Sequence, residues 1–173
     1  MRALQKMGVL LMLLGFAGLD FGNAQGTSRF CNNWLIAGVY GFTIEGTKLQ
    51  GPGPVGPQVG VALTEFDGQG GLQQIDSVAI DGVQTANFSE TPTRGTYSVN
   101  ADCTGTFTLN FTDGRPTVTT YFVVVDNGNE IDTMVKGVPP GVAGVIATRS
   151  IGKRRFTFGE IEDRVWPDAA ERR

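Results

Sequence analysis

A few polar side chains in this chain share strand phase with apolar ones, and they mark where chemistry could sit. Glu65 falls in the alternate set of Val59, Val61 and Leu63, and Gln74 and Asp76 fall in the set of Leu72, Val78 and Ile80. If those sets face a barrel interior, these residues are the isolated polar groups of a ligand cavity, and a buried carboxylate there could act as acid or base. Against that stands a simpler arrangement. Charged groups are rarely fully buried without a partner. Glu65 lies beside a turn and could sit at a wet rim, and the strand carrying Gln74 and Asp76 could have the opposite phase.

The remaining chemistry is narrowed by residue types. The chain has no His, which excludes Ser-His-Asp triads, His acid–base catalysis and His metal sites. Cys31 and Cys103 are its only cysteines. In an exported protein a lone pair is most simply a disulfide, here closing a loop of roughly 70 residues and contributing about 4–5 kcal/mol in the chain-entropy model. In a reducing compartment the same two residues would be free buried thiols. Paired, they leave no thiolate nucleophile, and a structural zinc wants four ligands. No phosphate-binding glycine loop precedes a helix, and the turns at Asp67 and Asp126 do not follow the EF-hand pattern. No catalytic residue, metal ligand or cofactor is therefore assigned. The net charge of −3 gives no sign of the basic face a nucleic-acid partner needs.

The compartment is read from the start of the chain. Met1 to Lys6 is short and basic, Met7 to Leu19 is an apolar run, and small residues follow at Gly22 and Ala24. That is the form of a secretory signal peptide, residues 1–24, with cleavage after Ala24 and Gln25 as the new N-terminus. The run falls short of the ~20 apolar residues that span a bilayer. A retained anchor and a buried N-terminal helix are the competing assignments. No Cys stands just after the run to take a lipid, and no later segment resembles a transmembrane helix, so the expected location is secreted or periplasmic.

The elements that must position any site read as strands and turns. Alternation and β-branched content predict strands at Trp34–Glu45, Gln58–Phe66, Gly71–Ile80, Gly95–Ala101, Thr104–Phe111, Pro116–Asp126, Asn129–Lys136 and Val142–Ser150. Asp67-Gly68-Gln69-Gly70, Asp113-Gly114, Asp126-Asn127-Gly128 and Pro139-Pro140-Gly141 supply turns, and Gly51–Pro57 reads as a stiff loop. Residues 82–94 lack a clear period. Eight sequential strands favour an all-β, antiparallel up-and-down barrel over 25–151, with an open sandwich as runner-up. After Ile151 the composition changes to a charged C-terminal tail, 152–173, in which the Lys153-Arg154-Arg155 run reads as solvated. Tyr40, Phe42, Tyr97, Val99, Phe107 and Leu109 are the expected lumen lining, with Glu65 as a polar end-group. Gly38, Gly41 and Gly60 would leave room. A barrel of this size is either filled by side chains or holds one small ligand.

Two stretches carry a resemblance. Leu35-Ile36-Ala37-Gly38-Val39-Tyr40-Gly41-Phe42, with Gly95-Thr96-Tyr97 and Asp102-Cys103-Thr104-Gly105, resembles a group of exported bacterial proteins of unassigned function. These share a Tyr-Gly-Phe first strand and a Gly-Thr-Tyr…Asp-Cys-Thr-Gly hairpin. More distantly, the pattern is similar to calycin-like barrels, including the allene oxide cyclase type, a likeness of architecture from which no catalytic residue maps onto this chain. Together these readings point first to a secreted small barrel that binds a small apolar ligand in its lumen. A barrel cyclase or isomerase with a buried carboxylate comes second. A structural or surface-interaction protein with a filled core comes third.

Overall fold

A computed structural model of the protein describes residues 30–88, 92–112, 115–137 and 145–157. The expected signal peptide and residues 158–173 lie outside that range. Nine strands form one antiparallel sheet: β1 (Gly38–Lys48), β2 (Gly56–Phe66), β3 (Gly71–Ile80), β4 (Val83–Ala86), β5 (Thr93–Val99), β6 (Thr104–Asn110), β7 (Val118–Val125), β8 (Glu130–Val135) and β9 (Ile146–Thr157). The order β2-β1-β9-β8-β7-β6-β5-β3, with β2 also paired to β3, closes eight of them into an up-and-down barrel. The ninth, β4, pairs only with the end of β3. It arises in the stretch where the sequence shows no period.

Hairpin geometry sets which face of each strand looks inward. At the turn after β2 the Asp67 carboxylate accepts from the backbone N–H groups of Gln69, Gly70 and Gly71 at 2.7–2.9 Å. The turn it braces fixes the register Phe66↔Leu72, Thr64↔Gln74 and Ala62↔Asp76. Directly opposed residues share a face, so Phe66, Thr64 and Ala62 join Leu72, Gln74 and Asp76 inside. Val59 and Val61 are therefore 59% and 45% exposed on the outer wall. This corrects the expectation for strand two, and it turns Glu65 outward, where its carboxylate accepts from Gln73 Nε2 at 2.5 Å.

The chain's ends are corrected as well. Residues Asn33–Ile36 form a 3-10 turn and not the start of a strand, because the Asn32 side chain caps the Leu35 N–H at 3.2 Å. Ile36 is fully buried as a result. The last strand does not stop at Ile151. It runs through Thr157, paired with β1 from Lys48↔Ile146 to Gly38↔Thr157. Residues 152–157 therefore belong to the barrel, and the border drawn at 151 falls inside a strand.

Inward-facing glycines are covered by rings from the neighbouring strand. Gly152 lies opposite Phe42 and Gly105 opposite Phe122. In both cases a Cβ would collide with the facing ring. The glycines expected to thin the lumen act differently: a Cβ at Gly38 would meet the Phe156 carbonyl at 2.6 Å, and one at Gly41 would meet the Arg155 side chain at 2.9 Å.

Candidate functional site

The two ends of the barrel are built differently. At one end the 3-10 turn plugs the opening. Cys31, just before it, is disulfide-bonded to Cys103 in the β5–β6 turn, 72 residues away, with a Cα–Cα distance of 4.9 Å. Asn33 ties the plug to β5: its Oδ1 accepts from Val99 N–H at 2.8 Å and its carbonyl from Tyr97 Oη at 3.3 Å. Beneath the plug the rings of Tyr40, Phe66, Tyr97 and Phe107 meet edge to face at 5.0–6.3 Å, and Phe107 stacks on Phe122 at 6.0 Å. Such pairs add to the burial of the rings themselves.

Arg154 fastens this end. Its guanidinium donates to the carbonyl oxygens of Leu35 (2.5 Å), Ala37 (2.6 Å) and Gly128 (2.8 Å and 3.2 Å). It lies 5.1 Å from the centroid of the Tyr40 ring, and the Tyr40 hydroxyl also donates to the Gly128 carbonyl. Burial pushes the Tyr40 phenol up to about 12, against the opposing pull of Arg154. Tyr97 is raised too, by burial first and then by the negative charge of Asp67.

The other end holds a cavity of about 650 Å³. That lies within the range of small-molecule sites, roughly 300–1,000 Å³. Its apolar wall includes Phe42, Ala62, Val78, Phe107, Leu109 and Val135. Its polar groups include Gln74 and Asp76 on β3, Thr120 on β7, Thr133 on β8, and Thr148 and Ser150 on β9. Asp76 is the only carboxylate among the described residues lining it. Both its oxygens are held by Arg115, Oδ2 at 2.8 Å and Oδ1 at 3.2 Å, and the guanidinium lies 4.0 Å from the Phe111 ring centroid. This pair spans a gap in the wall. β3 and β5 pair only from Gly71 to Gln74, and beyond that point β3 turns to β4.

The residues expected to line the lumen thus separate by depth. Phe42, Phe107 and Leu109 border the cavity. Tyr40 and Tyr97 lie in the packed half below it, and Val99, half-buried, packs at the plugged end. Glu65 is outside. Gln74 and Asp76 are inside, with exposures of 6% each. Sequence reasoning missed Arg115 and Thr120. Arg115 sits beyond any strand, and its tie to β3 is visible only in three dimensions.

Among the described residues no group of three or more His, Cys, Asp and Glu could hold a metal ion, and no helix is long and apolar enough to cross a membrane. Comparison with protein-family models, curated proteins and solved structures finds no match. The class is defined by the architecture itself: a closed eight-stranded antiparallel barrel, plugged and disulfide-bonded at one end and hollow at the other.

Proposed function

We propose that this chain is an exported binding protein that encloses a small, largely apolar molecule in the hollow half of its barrel. The observation that carries the reading is the cavity of about 650 Å³ walled mainly by apolar side chains. Burying apolar ligand surface there contributes roughly 25 cal/mol per Å² before the costs of association are deducted. Export to a secreted or periplasmic location is supported by the form of residues 1–24 and by the disulfide, a bond of oxidising compartments. The likeness to exported bacterial proteins with the same first strand and hairpin belongs to this reading. The cyclase or isomerase alternative is weaker, because the lumenal carboxylate it needs is bonded through both oxygens to Arg115.

The test is a fluorescence titration with N-phenyl-1-naphthylamine, a neutral apolar dye. We expect saturable binding of one dye per chain. Ala62, 5% exposed on the cavity wall, supplies the control. Ala62→Phe should fill the lumen and abolish binding while the far-ultraviolet circular dichroism is kept. Ser150→Phe, on β9 two strands round the ring from β2, gives a second blocking variant. Non-saturable binding, or binding that survives both variants, would refute lumenal binding.

A further inference from the structure

We infer that the molecule this lumen takes is a neutral, flat ring compound with carbonyl oxygens on opposed edges, of the quinone or cyclic diketone class. The inference rests on the lumenal binding proposed above and specifies its ligand. It begins from polar side chains that face the cavity with hydrogen-bonding capacity left over. Thr148 Oγ1, on β9 in the cavity wall, is fully buried with no partner among the described residues. Gln74 is 6% exposed; its Oε1 accepts from Thr64 Oγ1 at 2.8 Å, and its Nε2 finds no acceptor among the described residues. Thr120 is 4% exposed, and its hydroxyl makes no hydrogen bond among the described residues. Thr133 Oγ1 and Ser150 Oγ bond each other at 2.6 Å, and two hydroxyls that share one bond keep one O–H to give. Gln74, Thr120, Thr133, Thr148 and Ser150 all line the cavity. Buried donors call for acceptors, and a ligand carbonyl is an acceptor that carries no charge.

The arrangement of these donors sets the shape. Around the closed ring β3 and β8 are four strands apart, so Gln74 and Thr133 stand on opposite walls, with Thr120 on the neighbouring β7, opposite Val135 of β8. β1 and β6 are likewise four apart, which sets Phe42 against Phe107 and Leu109 on the other two walls. Two apolar walls crossed with two donor-bearing ones describe a slot for a flat ring with its faces on the former and its polar edges on the latter. The charge pattern agrees with a neutral guest. Asp76 is already neutralised by Arg115 and Arg149 by Glu45, so an anion would find only Lys48, which donates to the Pro52 carbonyl, and a cation would find no carboxylate without a partner among the described lining residues.

The experiment is equilibrium dialysis of the full chain against three probes: 2-methyl-1,4-naphthoquinone, 2-methylnaphthalene and decanoate. Both cysteines are disulfide-bonded, so the quinone meets no thiol to alkylate. The quinone should bind about tenfold or more tighter than the hydrocarbon, the discrimination expected when a buried donor gains its acceptor. Gln74→Leu and Thr120→Val should each weaken quinone binding by about five- to tenfold and leave the hydrocarbon within about twofold. Thr120→Val keeps the volume of the wall, and Gln74→Met serves if Gln74→Leu fails to fold. Equal affinity for quinone and hydrocarbon would overturn the acceptor class while lumenal binding stands. So would tightest binding of decanoate, or quinone binding that neither variant changes. If no probe binds but the apolar dye does, the ring class alone is refuted. If the dye fails too, both readings fall.

Discussion

Replacing Arg154 by Met should remove much of the stability of the whole barrel, although the residue stands in a run of charge that reads as solvated. The guanidinium makes four hydrogen bonds, between 2.5 and 3.2 Å, to three backbone carbonyls belonging to the plug and to the β7–β8 turn. A hydrogen bond to a charged group is worth about 1.5–3 kcal/mol net, and a carbonyl left unmet in the interior costs about 1–3 kcal/mol. The four do not add, because they share one side chain and Arg154 is only half-buried, so water would reach part of the vacated space. The expected loss is about 3–5 kcal/mol, a large share of the 5–15 kcal/mol typical of a domain. Met keeps an unbranched apolar stem of similar length, so the change removes the guanidinium, with its hydrogen bonds and its contact with the Tyr40 ring, and little else. With a urea slope of about 2 kcal/mol per molar, the unfolding midpoint should fall by about 2 M. Arg154→Lys should fall between, since one ammonium cannot span three carbonyls that the planar fork reaches. A loss below about 1 kcal/mol for Arg154→Met would refute the view that this side chain holds the plug to the barrel.

Three further outcomes follow from the same end of the molecule. Cys103→Ser should cost about 2–5 kcal/mol, read as a lower urea midpoint, and thiol labelling of the denatured, unreduced protein should find no free thiol. A chain ending at Ile151 loses half of β9 and Arg154 and should give no cooperative melt, whereas one ending at Thr157 should retain the β-type circular dichroism spectrum. Stability should also fall in alkali. Burial raises the folded Tyr40 phenol to about 12 from an ordinary value of 10.0, so the folded state holds its proton longer than the unfolded chain does. That contribution is complete below pH 10 and is lost as the pH rises through 10 to 12. Tyr40→Phe should flatten this part of the pH–stability curve, and an unchanged curve would count against the burial argument.

The sequence revealed the barrel because most strands have one plainly apolar set. In β6, Phe107 and Leu109 alternate with threonines, and in β3 Leu72, Val78 and Ile80 carry Gln74 and Asp76 inward with them. It misled at β2, where both alternate sets contain apolar residues. Val59, Val61 and Leu63 form the more hydrophobic set, yet Ala62, Thr64 and Phe66 are inside because the turn at Asp67 fixes the pairing with β3. Propensity cannot decide phase in such a strand; register does. The last strand was hidden for a different reason. Lys153 and Arg155 point to solvent and give the segment the composition of a tail, while Gly152 and Arg154 face the barrel. Of the site, the polar pair on β3 was legible from parity. Thr120 and Arg115 were not, because a lone Thr in a β-branched strand and an Arg after a turn have nothing local to mark them.

The division of the barrel into a packed half and a hollow half follows from where side-chain volume is placed along each strand. Toward the plug, the inward positions are Tyr40, Phe66, Tyr97, Phe122 and Ile131, all 6% exposed or less. Toward the mouth, β2, β7, β8 and β9 present Gly60, Ala62, Thr120, Thr133 and Ser150. Small and hydroxylated residues cannot fill a barrel of eight strands, so that half contributes less packing and leaves donors without partners. Such a half is tolerable only if the other half supplies cohesion, through the ring cluster, the disulfide and the Arg154 clasp. The prediction for Arg154 and the prediction for the ligand therefore bear on one another. A ligand that satisfies Gln74 and Thr120 should raise the melting temperature of the Arg154→Met protein as well as that of the wild type, because binding to the folded state stabilises it by mass action whatever the origin of the original deficit.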